Sequence, residues 1–163
     1  PVRDIDLDDL DSISAFVFLD DEGFDWNYDI DTTVNFLRRK TVPVIVANSD
    51  KYYPVNKNDV SVATGGIAKL CESMLGKKFI HFGKPDTQMF NYAYEHINQG
   101  ETQYGKDDIL MVGDTLSTDV LGGNKFGLKT MLVLTGNTRK DNADQWINSS
   151  GIIPDYICDS ILK

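Results

Sequence analysis

Two aspartates, Asp114 and Asp119, and one lysine, Lys84, are the residues whose type and placing point most directly to chemistry. Asp114 follows Ile109-Leu110-Met111-Val112-Gly113, an apolar run that reads as a buried strand of a parallel sheet, broken by its glycine. Ligands in open α/β sheets collect at the carboxyl ends of strands, where this acid falls. Asp119 lies five positions on, at the expected start of a helix. Two carboxylates beside the hydroxyls of Thr115, Ser117 and Thr118 suit Mg²⁺, which prefers oxygen and often shares its coordination with a substrate phosphate. A strand followed by an Asp-capped helix has the same appearance without any metal. Lys84 follows the apolar Phe79-Ile80-His81-Phe82 and Gly83, and precedes Pro85. Proline holds the residue before it extended, and the helix starting there adds partial positive charge, so the ammonium is aimed to meet a phosphate oxygen. A surface lysine in a loop is the ordinary alternative. A strand end one βα unit before Asp114 favours the chemical reading.

The elements that must position these groups alternate along the chain. Strands are expected at Ala15 to Leu19, Pro43 to Ala47, Phe79 to Phe82, Ile109 to Val112, Thr130 to Leu134 and Tyr156 to Cys158. Between them fall helices at Thr32 to Lys40, with Val34, Phe36 and Leu37 inward, and from Thr64-Gly65-Gly66 to Gly76, with Ile67, Leu70, Cys71 and Met74 on one side. Further helices run from Asp86 to Asn98, with Met89, Phe90, Ala93, Tyr94 and Ile97 at core spacing, from Asp119 to Gly127, and from Asp141 to Ser149. Tyr52, Tyr53 and Pro54 read as loop. This alternation is the signature of βαβ units, so the fold class is α/β with a mainly parallel sheet.

Composition narrows the function. The 163 residues make one domain, or one domain's worth of material drawn from two, and 41% hydrophobic content supplies a core. A net charge of −9 argues against nucleic acid or an anionic membrane as the main partner, and phosphate binding in so acidic a chain calls for a divalent metal. Cys71 and Cys158 are far apart, in no metal spacing, and read as buried thiols of a cytoplasmic protein. No apolar run is long enough to span a membrane, and no signal peptide is visible. The acidic Pro1 to Ser12, with Asp4, Asp6, Asp8, Asp9 and Asp11, reads as a solvated lead-in. Trp26 and Trp146 read as packing residues, and His81 and His96 as structural, with no partner at triad spacing.

Five ordered motifs carry a resemblance that covers nearly the whole chain from Ala15. They are Ala47-Asn48-Ser49-Asp50 with Ala63-Thr64-Gly65-Gly66, Gly83-Lys84-Pro85-Asp86 with Met89-Phe90, Val112-Gly113-Asp114-Thr115-Leu116-Ser117-Thr118-Asp119, Gly127-Leu128-Lys129-Thr130, and Val133-Leu134-Thr135-Gly136. Together they resemble the NagD-type phosphatases of the haloacid dehalogenase (HAD) superfamily. The resemblance implies a Rossmann-like core half with a mainly parallel sheet and part of an inserted α/β cap: residues 1–12 as lead-in, 13–80 as the later part of the cap, and 81–163 as the later half of the core. It implies Lys84 neutralising phosphate and nucleophile, Asp114 as the acidic Mg²⁺ ligand, Asp119 as the second acid of the Mg²⁺ shell, and Asn48 and Asp50 on the cap loop that fixes the substrate. The substrate would be a small phosphorylated metabolite, a sugar phosphate or nucleotide.

One departure matters. The superfamily's nucleophilic Asp, its partner acid two residues on and the phosphate-binding hydroxyl all precede the cap in NagD-type proteins. This chain starts within the cap on that reading, so those groups would lie upstream and the chain alone would be inactive. Unpaired sheet edges would favour a homodimer. A rival reading takes Phe16-Val17-Phe18-Leu19-Asp20-Asp21-Glu22-Gly23 as the nucleophile motif of a capless phosphatase, with Asp20 attacking, Glu22 for the second Asp, Phe24 for Thr and Asn48-Ser49 at the phosphate. Glu is long for the general-acid position, and Asn48 to Gly66 matches the cap better. A third reading is a remnant that binds phosphate, metal or a partner without chemistry.

Overall fold

The structure, a computed structural model, describes residues 2, 5–23, 25–56 and 58–162. Asp4 of the acidic lead-in and Phe24 of the rival motif lie outside the described residues. The chain divides into two compact units, Pro1–Phe82 and Gly83–Lys163.

In the first unit, β1 (Phe16–Phe18), β2 (Val44–Val46) and β5 (Ile80–His81) form a parallel sheet in the order β1-β2-β5, with Phe18 beside Val46 and Val46 beside His81. Helices α1 (Tyr28–Arg39) and α2 (Thr64–Leu75) pack with it around Phe16, Phe18, Phe36, Leu37, Val46 and Cys71. Helix α1 starts four residues before the expected Thr32, because the Asp25 carboxylate accepts the Asn27 and Tyr28 amides and caps the extra turn. Val34, Phe36 and Leu37 are buried as expected. On α2 the buried face is Ile67, Ala68, Cys71 and Glu72, while Leu70 and Met74 are exposed; the helix is rotated from the expected stripe because Glu72 turns inward to polar partners. Gly76 ends α2 at φ 63°, a left-handed cap that glycine adopts at no steric cost. Tyr52–Pro54 (β3) and Val60–Val62 (β4) form an antiparallel hairpin where a loop was expected; three-residue strands with a proline in one give little periodic signal. Nor is the lead-in merely solvated. Val2, Ile5, Leu7 and Leu10 pack on the core, and the carbonyls of Leu7, Leu10 and Asp11 accept from Arg39 and Lys40.

In the second unit, β6 (Leu110–Gly113), β7 (Lys129–Val133) and β8 (Tyr156–Cys158) form a second parallel sheet in that order. Helices α3 (Thr87–Ile97), α4 (Leu121–Phe126) and α5 (Lys140–Ser150) complete the unit. Among the described residues β6 pairs with β7 alone, and Leu110 and Val112 are exposed, where a buried strand was expected. On α3 only Phe90 is buried, stacked on Phe126 and pressed to Gly122, where a Cβ would lie 2.4 Å from the Phe90 ring; Met89, Ala93 and Ile97 are exposed, correcting the expected core face. Trp26 is about half exposed, Trp146 is nearly two-thirds covered at 36% exposure, and Cys158 is only half-buried. No helix among the described residues is long and apolar enough to cross a membrane.

Candidate active site

Asp114 leaves the end of β6, and the chain then makes a five-residue π-helical turn, Leu116–Val120, before α4. That turn carries Asp119 back under the strand end, so Asp119 sits inside the turn and not at a helix start. Only glycine fits at 113: a Cβ there would stand 2.3 Å from the Asp119 carboxylate. Asp119 is 2% exposed, and both of its oxygens are engaged. Oδ2 accepts the backbone N–H groups of Asp114 and Thr115, each at 3.0 Å. Oδ1 accepts from Lys84 Nζ at 2.7 Å, a charge-assisted bond to a lysine whose side chain is 32% exposed. Lys84, Asp114 and Asp119 are thus brought together, with Asp119 as the post that holds the other two.

Asp114 is half-buried and held from a second side by the loop after β7. Its Oδ2 accepts the Asn137 N–H at 2.6 Å, its Oδ1 accepts from Thr115 Oγ1 at 3.3 Å, and its carbonyl accepts the Thr138 N–H. Asn137 Nδ2 donates to Thr115 Oγ1 at 2.8 Å, closing the ring. Gly136 is required here, since a Cβ would fall 1.8 Å from Asp114 Oδ2. Asn137 escaped the sequence reading, although Thr135-Gly136 beside it was singled out. The side-chain oxygens of Asn137 and Thr118 are buried and find no hydrogen-bond partner among the described residues.

The donor set fits Mg²⁺. Of the roughly four acceptor positions a carboxylate offers, Asp114 has two filled by the protein. Among the described residues no group of three or more His, Cys, Asp or Glu could hold a metal by itself. A cation bound through one carboxylate, water and a substrate phosphate is the usual arrangement for Mg²⁺ and needs no such group.

The other two residues expected at the site, Asn48 and Asp50, lie in the first unit. Asn48 Oδ1 accepts the Asp50 N–H at 2.9 Å, and the Asp50 carbonyl accepts the Gly65 N–H at 3.0 Å, fixing the loop after β2 on the start of α2. Asn48 also lines a cavity of about 850 Å³ with Asp20, Asp21, Glu22, Trp26 and Tyr53. Asp20 Oδ1 is turned onto its own following amides, Asp21 and Glu22, and Asp21 accepts from Tyr53 Oη and Thr64 Oγ1.

The HAD-hydrolase-like family model matches residues 81–163, half of the chain. Chronophin of Bos taurus is 30% identical over 129 residues, covering 77% of this chain and 41% of its own length. A crystal structure described as a possible sugar phosphatase of the HAD superfamily, from Cytophaga hutchinsonii, superposes with a TM-score of 0.89 at 56% identity, over 98% of this chain and 56% of that one. The p-nitrophenyl phosphatase of Archaeoglobus fulgidus superposes with a TM-score of 0.74 at 26% identity, over 96% of this chain and 56% of its own. The chain therefore spans about half the length of the relatives it matches. By the family model that matches half of it and the parallel α/β architecture it shares with these structures, this chain belongs to the HAD-like hydrolase family.

Proposed function

We propose that these 163 residues are the later cap and later core of a Mg²⁺-dependent phosphatase that hydrolyses small phosphate monoesters, sugar phosphates first among them. The observation that carries this reading is Asp119: one buried carboxylate holds Lys84 with one oxygen and the Asp114 turn with the other. The similarity to phosphatases named for sugar and p-nitrophenyl substrates supports the substrate class. Asp114 would hold Mg²⁺, with Asp119 supporting that shell. The bound ion would neutralise phosphoryl oxygens and so lower the barrier to in-line displacement.

Lys84 places its ammonium against the phosphate, and its bond to Asp119 keeps it aimed while the substrate is absent. Asn137 and Gly136 hold the Asp114 carboxylate in one orientation, which keeps the reorganisation needed at reaction small. The nucleophile, an aspartate that becomes an aspartyl-phosphate, would be supplied by sequence outside these residues, and Asn48 and Asp50 would orient the substrate from the cap. A homodimer would cover the exposed strand edges, with a doubled mass in light scattering. The cavity shared by Asp20 and Asn48 favours a second reading, a capless enzyme with Asp20 as nucleophile.

Hydrolysis of an aryl phosphate by this chain, with Mg²⁺ and with chelator, separates the two. No turnover is expected from the chain or from its Asp20→Asn and Asp114→Asn variants. Mg²⁺-dependent turnover lost in both variants would assign the nucleophile to Asp20.

A further inference from the structure

His81, expected to be structural, is the pivot of a polar array within the Pro1–Phe82 unit. Its Nε2 lies 3.3 Å from Glu72 Oε1, and its Nδ1 lies 3.4 Å from Ser49 Oγ. Glu72 is 4% exposed; its Oε1 also accepts the Phe79 N–H at 2.7 Å, and its Oε2 accepts from Lys69 Nζ at 2.8 Å. Burial works to raise the Glu72 pKa, but the Lys69, Phe79 and His81 donors outweigh it and hold the carboxyl down at about 2. An ionised acceptor at Nε2 draws the imidazole proton to that nitrogen and leaves the Nδ1 lone pair facing the serine hydroxyl. The order is hydroxyl, base, orienting carboxylate, with the longer contacts usual where no substrate is bound.

Two further observations favour reactivity over mere cohesion. Ser49 and His81 are half-buried, with 31% of the His81 side chain exposed, so a small molecule can reach the pair. The amino end of the twelve-residue α2 also abuts Ser49, since a Cβ on Gly65 would lie 2.4 Å from the Ser49 carbonyl carbon. A helix amino terminus favours negative charge developing beside it.

We propose that Ser49 is a nucleophilic hydroxyl that accepts the acyl group of activated carboxylic esters, with His81 as its base and Glu72 as the positioning residue. The inference goes beyond the phosphatase reading and does not depend on it, because its three residues lie in one unit, apart from Lys84, Asp114 and Asp119. Ser49 Oγ forms a bond to the ester carbonyl carbon as His81 Nδ1 takes the hydroxyl proton. The carbon–oxygen bond to the alcohol then breaks, and the alcohol leaves with that proton. Water, deprotonated by the same base, cleaves the acyl-serine and releases the carboxylic acid. The charged groups at His81 are Glu72 and, behind it on the same helix, Lys69.

The test is 4-nitrophenyl acetate with the 163-residue chain, following nitrophenolate release and mapping the acetyl group in an acid-quenched digest. The acetyl group is expected on Ser49, absent in Ser49→Ala, and formed about 100-fold more slowly in His81→Gln. The rate should fall in acid, where no neutral base is left to take the hydroxyl proton, and Glu72→Gln, which removes the acceptor that holds the Nε2 proton, should slow acetylation of Ser49, with part of the rate recovered in Glu72→Asp. A purely cohesive Glu72 would lower stability and leave the acetylation rate of the folded protein unmoved. Acetylation confined to lysines, a His81→Gln rate equal to the parent's, or a flat pH profile would overturn the proposal. If His81→Gln fails to fold by circular dichroism, the parent's own pH profile and peptide map decide.

Discussion

Replacing Asp119 takes an acceptor from three donors at once. Lys84 Nζ loses a 2.7 Å partner, and the Asp114 and Thr115 amides each lose one at 3.0 Å. At a position 2% exposed, water replaces little of this. Removing one member of a buried ion pair costs about 3–5 kcal/mol. The 32% exposure of the Lys84 side chain moves this pair to the low end of that range, while the orphaned amides add about 1 kcal/mol each. Asp119→Ala should thus destabilise the second unit by about 5 kcal/mol. A domain of this size loses about 4–8 °C of melting temperature per kcal/mol, which gives a fall of about 20 to 40 °C. Asp119→Asn keeps an oxygen for the amides and loses the charge pair, so about half of that fall is expected. The chain has two tryptophans, Trp26 in the first unit and Trp146 on α5 in the second. In a Trp26→Phe background Trp146 fluorescence reports the second unit alone. Asp119→Ala melting within about 3 °C of that background would refute the reasoning, because an acid that can be removed so cheaply holds nothing.

Two other perturbations read separate parts of the molecule. Gly136→Ala puts a Cβ 1.8 Å from Asp114 Oδ2, so either the carboxylate or the loop must move, at about 1–3 kcal/mol. The Asn137 amide resonance should shift and the melting temperature fall; neither changing would mean that the site has slack. Glu72 is a carboxyl whose folded pKa of about 2 lies below its ordinary 4.5, so its contribution is present above pH 4.5 and lost as pH falls towards 2. That difference corresponds to about 3 kcal/mol. Urea unfolding at pH 7 and at pH 2 should show Glu72→Gln less stable at neutral pH, with the gap from the parent closing in acid. A gap that is the same at both pH values would contradict the assignment.

Much of this was legible because backbone constraints write themselves into residue type. Gly113 is demanded by the Asp119 carboxylate, Gly136 by the Asp114 carboxylate and Gly65 by the Ser49 backbone, and all three fall inside motifs visible in the chain. The parallel sheets followed from strand and helix alternation, and helix ends at Gly76 and Gly127 from their left-handed caps. What was not legible depends on partners distant in sequence. Burial of Glu72 rests on a backbone amide seven residues away and a histidine on another strand, so the α2 face was misread. Exposure of Leu110 and Val112 depends on which strand lies beside β6, and an apolar run cannot report that. Asn137 is a polar residue in a loop until the fold brings it, 23 positions on, to Asp114.

The most direct measurement joins this chain to the portion of the possible sugar phosphatase of Cytophaga hutchinsonii that it does not cover, and follows hydrolysis of an aryl phosphate and a sugar phosphate. At 56% identity the two should assemble a complete core. The account predicts Mg²⁺-dependent turnover by the chimera, none by either part alone, and a loss of about 100-fold or more in Lys84→Ala and Asp114→Asn. A folded chimera whose turnover is indifferent to Lys84 and Asp114 would contradict the central claim that this chain carries half of a phosphatase site.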